Sequence, residues 1–311
     1  MKNNFEVSII VVVKNHEKFL GKCLKSICSQ SFKNYKLIII DNNSRDNSLR
    51  IAQSFQRKLK KKIKIINNEK NKSLNYLING ALKQIESEFF ILFSGDDYFK
   101  KNKLLTQTNF LKNHPEIDVC SHNVLVEDAI HNVKYLYNFD DISKIKNFNT
   151  NQKFLIERGF ISPLSFMYRS KAIIPNFKFN KNLKFVSDWL FNCEISKTKN
   201  YGYIHKDLCV YRRHPESYTS KNFFFDDYLK GYEILYKKKH DLKSVNLGKL
   251  IIIIIYFYHS IFIKYDFKKI IFLFFKIFYF LIFKGILFKK MLYIFFLKKI
   301  QFYMKFHFVK K

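Results

Sequence analysis

No glycine-rich phosphate loop is written in this chain. G-x-G-x-x-G does not follow the first apolar run, and G-x-x-x-x-G-K-[ST] occurs nowhere. A dinucleotide fold of the usual kind and a P-loop are thereby excluded, and any phosphate must be held through a metal and side chains. Negative charge is scarce: 25 Asp and Glu stand against 56 Lys and Arg, a formal net charge of +31. Such a balance implies acidic partners, whether nucleic acid, anionic lipid or phosphorylated substrates. The five cysteines, Cys23, Cys28, Cys120, Cys193 and Cys209, are scattered and odd in number, and no pair has zinc-site spacing with a matching second pair. Reduced thiols in a cytosolic protein are the expectation. Long apolar runs are missing too. Val7–Val13 is too short for a signal-peptide core and no small-residue cleavage site follows it. None of the later runs reaches the ~20 residues that span a bilayer.

What is present is core. With 48% hydrophobic content over 311 residues, one catalytic-sized domain plus an appendage is expected. Val7–Val13 reads as a buried strand of a parallel sheet, and Lys14-Asn15-His16 leads into a helix from Glu17 to Ser29 with one apolar face. Lys36–Ile40 is a second strand, followed by a polar loop, Asp41 to Ser48, in which Asp46 or Ser48 can cap the next helix. Ile63–Ile66, a helix over Leu74–Ile85 and a strand at Phe89–Phe93 continue the alternation. Short-linked strand–helix repeats predict a doubly wound parallel sheet.

The chain is organised around Glu88–Tyr98, EFFILFSGDDY. The strand ends at Ser94-Gly95, and Asp96 and Asp97 follow at the carboxyl edge, where ligands of open α/β sheets bind. Adjacent carboxylates repel unless a cation lies between them, and Mg²⁺ typically takes one or two carboxylates plus phosphate oxygens. Gly-Asp-Asp as a plain solvated turn is the alternative.

VSIIVVVKNHEKFLGKCLKSICSQSFKNYKLIIIDNNSRDNS, continued by NKSLNYLINGALKQIESEFFILFSGDD, resembles the family 2 inverting glycosyltransferases. The resemblance covers roughly residues 5–220. It implies an α/β, GT-A-type, mostly parallel sheet flanked by helices. By that resemblance Asp41 contacts the uracil or ribose of a nucleotide-sugar, with Asn43, Asn79, Asp96 and Arg213 also on the donor side. Asp96, Asp97 and His214 hold Mg²⁺ or Mn²⁺, His214 and Arg213 lying in a segment similar to the family's Y-R-x-H-x-x-S. Ser94 stands where the family often has an acid, Ile78 where Arg is common, Ser73 where Gly is common, and Ser187 where an acid precedes the catalytic Asp. That Asp is matched by Asp188, the implied general base; its other reading is a first-turn helix carboxylate. Ile161–Tyr168 resembles the segment entering the active site, with Ser162 or Ser165 on the acceptor side or simply preceding a strand.

From Leu247 the composition changes. Residues 245–311 hold 13 lysines and one aspartate among Phe, Ile, Leu and Tyr. Helices lying in a membrane interface, lysines toward anionic headgroups, fit that pattern; a helical hairpin packed on protein is the alternative. Nucleic acid is not expected, because the lysines sit within apolar sequence. The chain thus reads as a transferase domain, 1–222, and a C-terminal helical basic/aromatic extension, 223–311. The expected partners are a nucleotide-diphospho-sugar donor, a glycan or lipid-linked acceptor and an anionic membrane surface, with the protein peripheral on the cytoplasmic face of the membrane. Two other readings stand beside it: a degenerate, scaffold-like relative, and a sugar nucleotidyltransferase. The second is disfavoured because Val13–Glu17 carries no glycine.

Overall fold

The structure, a computed structural model, describes residues 5–59, 62–70, 72–137, 155–157, 162–217 and 224–259, with Leu273 and Ile277. It divides into two compact units: residues 1–152 with 160–220, and residues 153–159 with 221–311.

In the first unit, β1 (Val7–Val13), β2 (Tyr35–Asp41), β3 (Ile63–Asn67) and β4 (Phe89–Ser94) alternate with α1 (Glu17–Cys28), α2 (Ser48–Leu59) and α3 (Leu74–Leu82). These strands lie in the order β3-β2-β1-β4, all parallel. Val7, Ile9, Ile10, Val11 and Val13 are fully buried, as a strand covered on both faces requires. The chain winds outward from β1 through β2 to β3 and then returns to the other side of β1 as β4. The reversal opens a crevice beyond the carboxyl ends of β1 and β4. Register levels these ends, pairing Val13 with Asp41 and Val12 with Ser94.

The other half of the sheet is mixed. After β5 (Tyr98–Phe99) and α4 (Lys103–Asn113) come β6 (Val119–Asp128), β7 (Val133–Tyr137), β8 (Met167–Arg169) and β9 (Tyr201–Arg213). β8 joins β4 to β6 by antiparallel pairing, β6 and β9 run parallel, and β5 and β7 pair antiparallel with β9 and β6. A turn at Pro163–Ser165 precedes β8, and α5 (Ser187–Ile195) precedes β9. β7 ends at Tyr137, and residues 138–154 lie outside the described residues.

The second unit contains α6 (Phe225–Lys237) and α7 (Leu242–His259). Phe225 and Tyr256 stack with ring centroids 4.2 Å apart. A Cβ on Gly248 would meet Ile156 O at 2.5 Å and Tyr232 OH at 2.6 Å, so only glycine permits this approach. Among the described residues no helix is long and apolar enough to cross a membrane. Residues 260–311, which carry most of the lysines of the extension, lie outside the described residues, apart from Leu273 and Ile277.

Candidate active site

Two loops at the carboxyl edge are stitched together by side chains. Asp46 accepts from Ser48 N at the start of α2 and from Glu17 N at the start of α1, both at 2.9 Å. One carboxylate therefore caps two helices, which explains a polar loop that reads in sequence as a cap for one. Ser48 Oγ accepts from His16 N at 2.7 Å, and Asn15 Oδ1 accepts from Arg45 N at 2.8 Å. Asn15 and Asn43 adopt left-handed backbone angles, φ 56° and 57°, which asparagine tolerates better than most residues.

Asp41 ends β2 at 1% exposure. Its Oδ2 accepts from Ser44 N at 3.0 Å, whereas its Oδ1 is buried without a hydrogen-bond partner. Asp96 lies beyond β4. Its Oδ1 takes a hydrogen bond from Ser94, so the serine standing where an acid is common orients the next carboxylate instead. Its Oδ2 lies 3.6 Å from His214 Nε2 and 3.8 Å from His16 Nε2. Burial pushes the Asp96 carboxyl up, but His214, His16 and the Ser94 hydroxyl outweigh it and hold it below the usual range. His214 leans on Phe19, ring centroids 4.0 Å apart.

Asp97 is placed quite differently. It is 1% exposed, and its Oδ1 accepts from Arg212 N at 2.8 Å. Burial, then the Asp96 charge, pushes its carboxyl well above the usual range. Arg212 also donates to Asp96 O, and to Phe19 O at 3.0 Å. Asp97, expected among the metal ligands, and Arg212 thus act as struts that fasten the end of β9, with Asp97 Oδ1 engaged by the Arg212 N–H.

Asn79 and Arg213, expected on the donor side, make contacts within the protein. Asn79 donates to Phe179 O at 2.9 Å and accepts from Phe179 N at 2.8 Å. Asn75, one turn earlier on the same face, donates to Asn180 O and Leu183 O at 2.8 and 2.6 Å. Together they clamp the segment that leads into α5. Arg213 Nη1 pairs with Asp128 at 3.1 Å. Ser73, in place of the common glycine, caps α3 by accepting from Tyr76 N, and Ile78 is buried in the core.

Asp188 sits in the first turn of α5, partly buried, and its Oδ1 accepts from Trp189 N at 2.7 Å. Burial lifts its carboxyl to about 6, the Trp189 N–H opposing. Ser187 donates to Asn180 O at 3.3 Å rather than acting as an acid. Ser165 Oγ turns back to Ser162 O at 2.7 Å.

Three features are absent from the sequence-level expectation: His16 beside Asp96, the Arg212 strut, and a buried Lys103. Lys103 Nζ lies 2.6 Å from His122 Nε2, 2.8 Å from Gln107 Oε1 and 3.2 Å from Leu164 O. The position of His16 directly after β1 was a legible signal. Nothing local marks Lys103 as buried.

Among the described residues no group of three His, Cys, Asp or Glu side chains closes on a point as a finished metal cage. The chemistry of the donors still fits a divalent cation. Asp96 offers a carboxylate, and both nitrogens of His214 are buried without a hydrogen-bond partner. One or two protein ligands completed by phosphate oxygens is the usual complement of such an ion.

Comparison with known proteins places this geometry. The family model Glycosyl transferase family 2 matches residues 8–176. The chain is similar to EpsE of Bacillus subtilis strain 168, 34% identical over 128 residues, covering 41% of this chain and 46% of EpsE. It is also similar to the minor teichoic acid biosynthesis protein GgaA of the same organism, 27% identical over 219 residues, covering 67% of this chain and 47% of GgaA. The chain thus spans about half the length of both relatives. Among solved structures, S. aureus TarS 1–349 in complex with UDP-GlcNAc superposes with a TM-score of 0.61 at 21% identity, covering 84% of this chain and 74% of TarS 1–349. The mannosyltransferase PcManGT of Pyrobaculum calidifontis, in complex with GDP-Man and Mn²⁺, gives 0.58 at 10% identity, covering 80% and 72%. At these identities the likeness establishes a shared GT-A-type fold.

Proposed function

The chain belongs to glycosyl transferase family 2, and from that membership we propose an inverting glycosyltransferase. It moves a sugar from a UDP-linked donor to a hydroxyl of a glycan or lipid-linked acceptor in cell-surface polysaccharide or lipopolysaccharide synthesis. The observation that carries this reading is at the sheet's carboxyl edge. There Asp41 Oδ1 and both His214 nitrogens are buried without hydrogen-bond partners, and unpartnered buried polar atoms in a native fold call for a ligand. The UDP-GlcNAc bound by TarS and the teichoic acid role in the name of GgaA support the donor and product class.

Asp41 Oδ1 accepts a hydrogen bond from the base or ribose. Asp96 and His214 would hold Mg²⁺ or Mn²⁺, which when bound neutralises charge on the diphosphate. Asp188 takes the proton of the acceptor hydroxyl. The hydroxyl oxygen forms its bond to the sugar C1 as the C1–O bond to the diphosphate breaks, the electron pair leaves with the nucleoside diphosphate, and C1 inverts. A carboxyl lifted to about 6 suits this step: it is deprotonated at neutral pH yet more basic than an ordinary aspartate.

The transferase domain corresponds to residues 1–222. The extension from 223, with its lysines and aromatic residues, supports peripheral attachment to an anionic membrane face. Cosedimentation of the full chain with anionic but not neutral vesicles tests that attachment.

The decisive experiment is calorimetric titration with UDP and GDP, with and without Mn²⁺, on wild type and Asp96→Asn. Metal-dependent UDP binding lost in the variant is expected, and NMR of product formed from UDP-sugars then reads the anomeric inversion. GDP binding alone would change the donor class. Binding of neither by folded protein would overturn the enzyme in favour of a scaffold of the same fold.

A further inference from the structure

We infer that Asn75 and Ser187 are positioning residues for Asp188: both donate to the carbonyl oxygen of Asn180, and through that oxygen α3 holds the first turn of α5 and the base it carries. This inference rests on the general-base role proposed above and concerns two residues to which that reading gives no role.

Asp188 is the second residue of α5, so its carboxylate is placed no better than the turn on which it stands. Beyond that turn the helix is fastened to the sheet. Asn192 donates to Asp188 O at 2.9 Å and accepts from Tyr168 OH of β8 at 3.0 Å, and Tyr201 OH of β9 donates to Asn192 O at 3.1 Å. Ahead of it, the cap position is Val186, which makes no side-chain cap bond. The start of the helix therefore depends on the segment that leads into it.

That segment is held from α3. Leu183 N donates to Asn180 O at 3.4 Å and closes a turn. The buried Asn75 grips both ends of this turn, its Nδ2 donating to Asn180 O at 2.8 Å and to Leu183 O at 2.6 Å. A carboxamide has two N–H donors, and both are used here. Ser187 Oγ, one residue before the base, donates to the same Asn180 O at 3.3 Å. Two side chains from separate helices thus meet at one backbone atom. An ionised acid at position 187 could only accept and would lose this bond, so the hydroxyl suits support of the neighbouring base.

Such support bears on rate, because a misplacement of about 1 Å can cost on the order of 10²-fold. It also bears on the carboxyl itself. Burial lifts Asp188 to about 6, with the Trp189 N–H opposing, and burial of a first-turn group depends on where that turn is held. Tyr168, whose hydroxyl feels the Asp188 charge, is pushed well up by its own burial and stays neutral in this range.

The test is ¹³C NMR titration of the full chain labelled at aspartate, the Asp188 signal being identified by its loss in Asp188→Asn. Its midpoint is expected at about 6 in wild type. In Ser187→Ala and in Asn75→Ala it should move toward the ordinary aspartate value of about 4, as water reaches a loosened turn. Turnover, read as UDP released from UDP-GlcNAc with water as acceptor, should fall about 10–100-fold in each, with the UDP dissociation constant unchanged. Because both residues act through Asn180 O, the double variant should lose little more than the more impaired single variant. A wild-type midpoint in folded Ser187→Ala overturns the inference even if Asn75→Ala does not fold, and so do losses that multiply in the double variant. If UDP-GlcNAc is not turned over, the titration decides alone. Wild-type turnover in Asp188→Asn would remove the general base as well; an unmoved Asp188 midpoint defeats only the positioning.

Discussion

Two buried polar clusters lie in the same unit and differ in one respect. Around Lys103, every polar group has a partner: the ammonium, fully buried, meets His122, Gln107 and Leu164 O, and Gln107 donates onward to Ser165 O at 2.8 Å. At the carboxyl edge, the His16 and His214 rings and the Asp41 carboxylate at the end of β2 leave four buried atoms without one. A satisfied network rigidifies its surroundings, here fastening α4, β6 and the 162–166 segment. An unsatisfied one costs stability until something binds. The contrast separates architecture from site more sharply than charge or burial does, because Lys103 is buried more deeply than Asp96. Asp96 and Asp97 repeat it at the scale of neighbours, one facing two histidines and the other locked to Arg212 N.

The largest expected effect is at Asp188. Asp188→Asn should lower kcat by about 10²–10⁴-fold while leaving the UDP dissociation constant unchanged. In wild type the rate should rise with pH through about 6, because the base must lose its proton. A variant with near-normal kcat would remove Asp188 from the chemistry.

Next in size is the pair of neighbouring acids. Asp96→Asn should abolish the Mn²⁺-dependent part of UDP binding. Asp97→Asn should retain most of it, since an amide oxygen still accepts the Arg212 N–H. Equal losses by calorimetry would make Asp97 a ligand and erase the distinction between strut and site.

The Lys103 cluster has its own signature in pH. Burial lowers its ammonium to about 8, below the value of an unfolded lysine. The unfolded chain therefore binds more protons between pH 8 and the ordinary lysine range, and this group makes stability rise with pH across that window. The rise is on the order of 3 kcal/mol. Denaturant melts at stepped pH should show it, and Lys103→Met should flatten it.

The smallest effect concerns the α3 clamp. Asn79→Ala removes both hydrogen bonds to Phe179 and should cost about 1–3 kcal/mol of stability, read as a lower denaturation midpoint. A loss of UDP affinity without loss of stability would return Asn79 to the donor site.

Much of the first half of the fold was legible in sequence because its signals are local. The strand expected at Ile63–Ile66 extends only to Asn67, and the helix expected over Leu74–Ile85 ends at Leu82. β-branched runs, one-faced apolar periodicity and polar loops dictate such elements within a window of a few residues. The second half was legible only as irregular, since β6 pairs with β7, β8 and β9 and no periodicity names a distant partner.

The candidate site divides in the same way. Sequence alone determined that carboxylates stand at the ends of β2 and β4, that an aspartate opens α5, and that His214 follows β9, because each is a residue type at the edge of a locally encoded element. Tertiary structure decided which of them face the crevice. Asp97 became a strut because Arg212, 115 positions away, arrives on β9 to donate to it. Asn79 became a clamp because Phe179 passes α3, and His16 became a neighbour of Asp96 because β1 and β4 lie side by side. A side chain's type is written locally; its partner is chosen by chain distant in sequence, and the partner decides whether a buried polar atom is satisfied by the fold or left for a ligand.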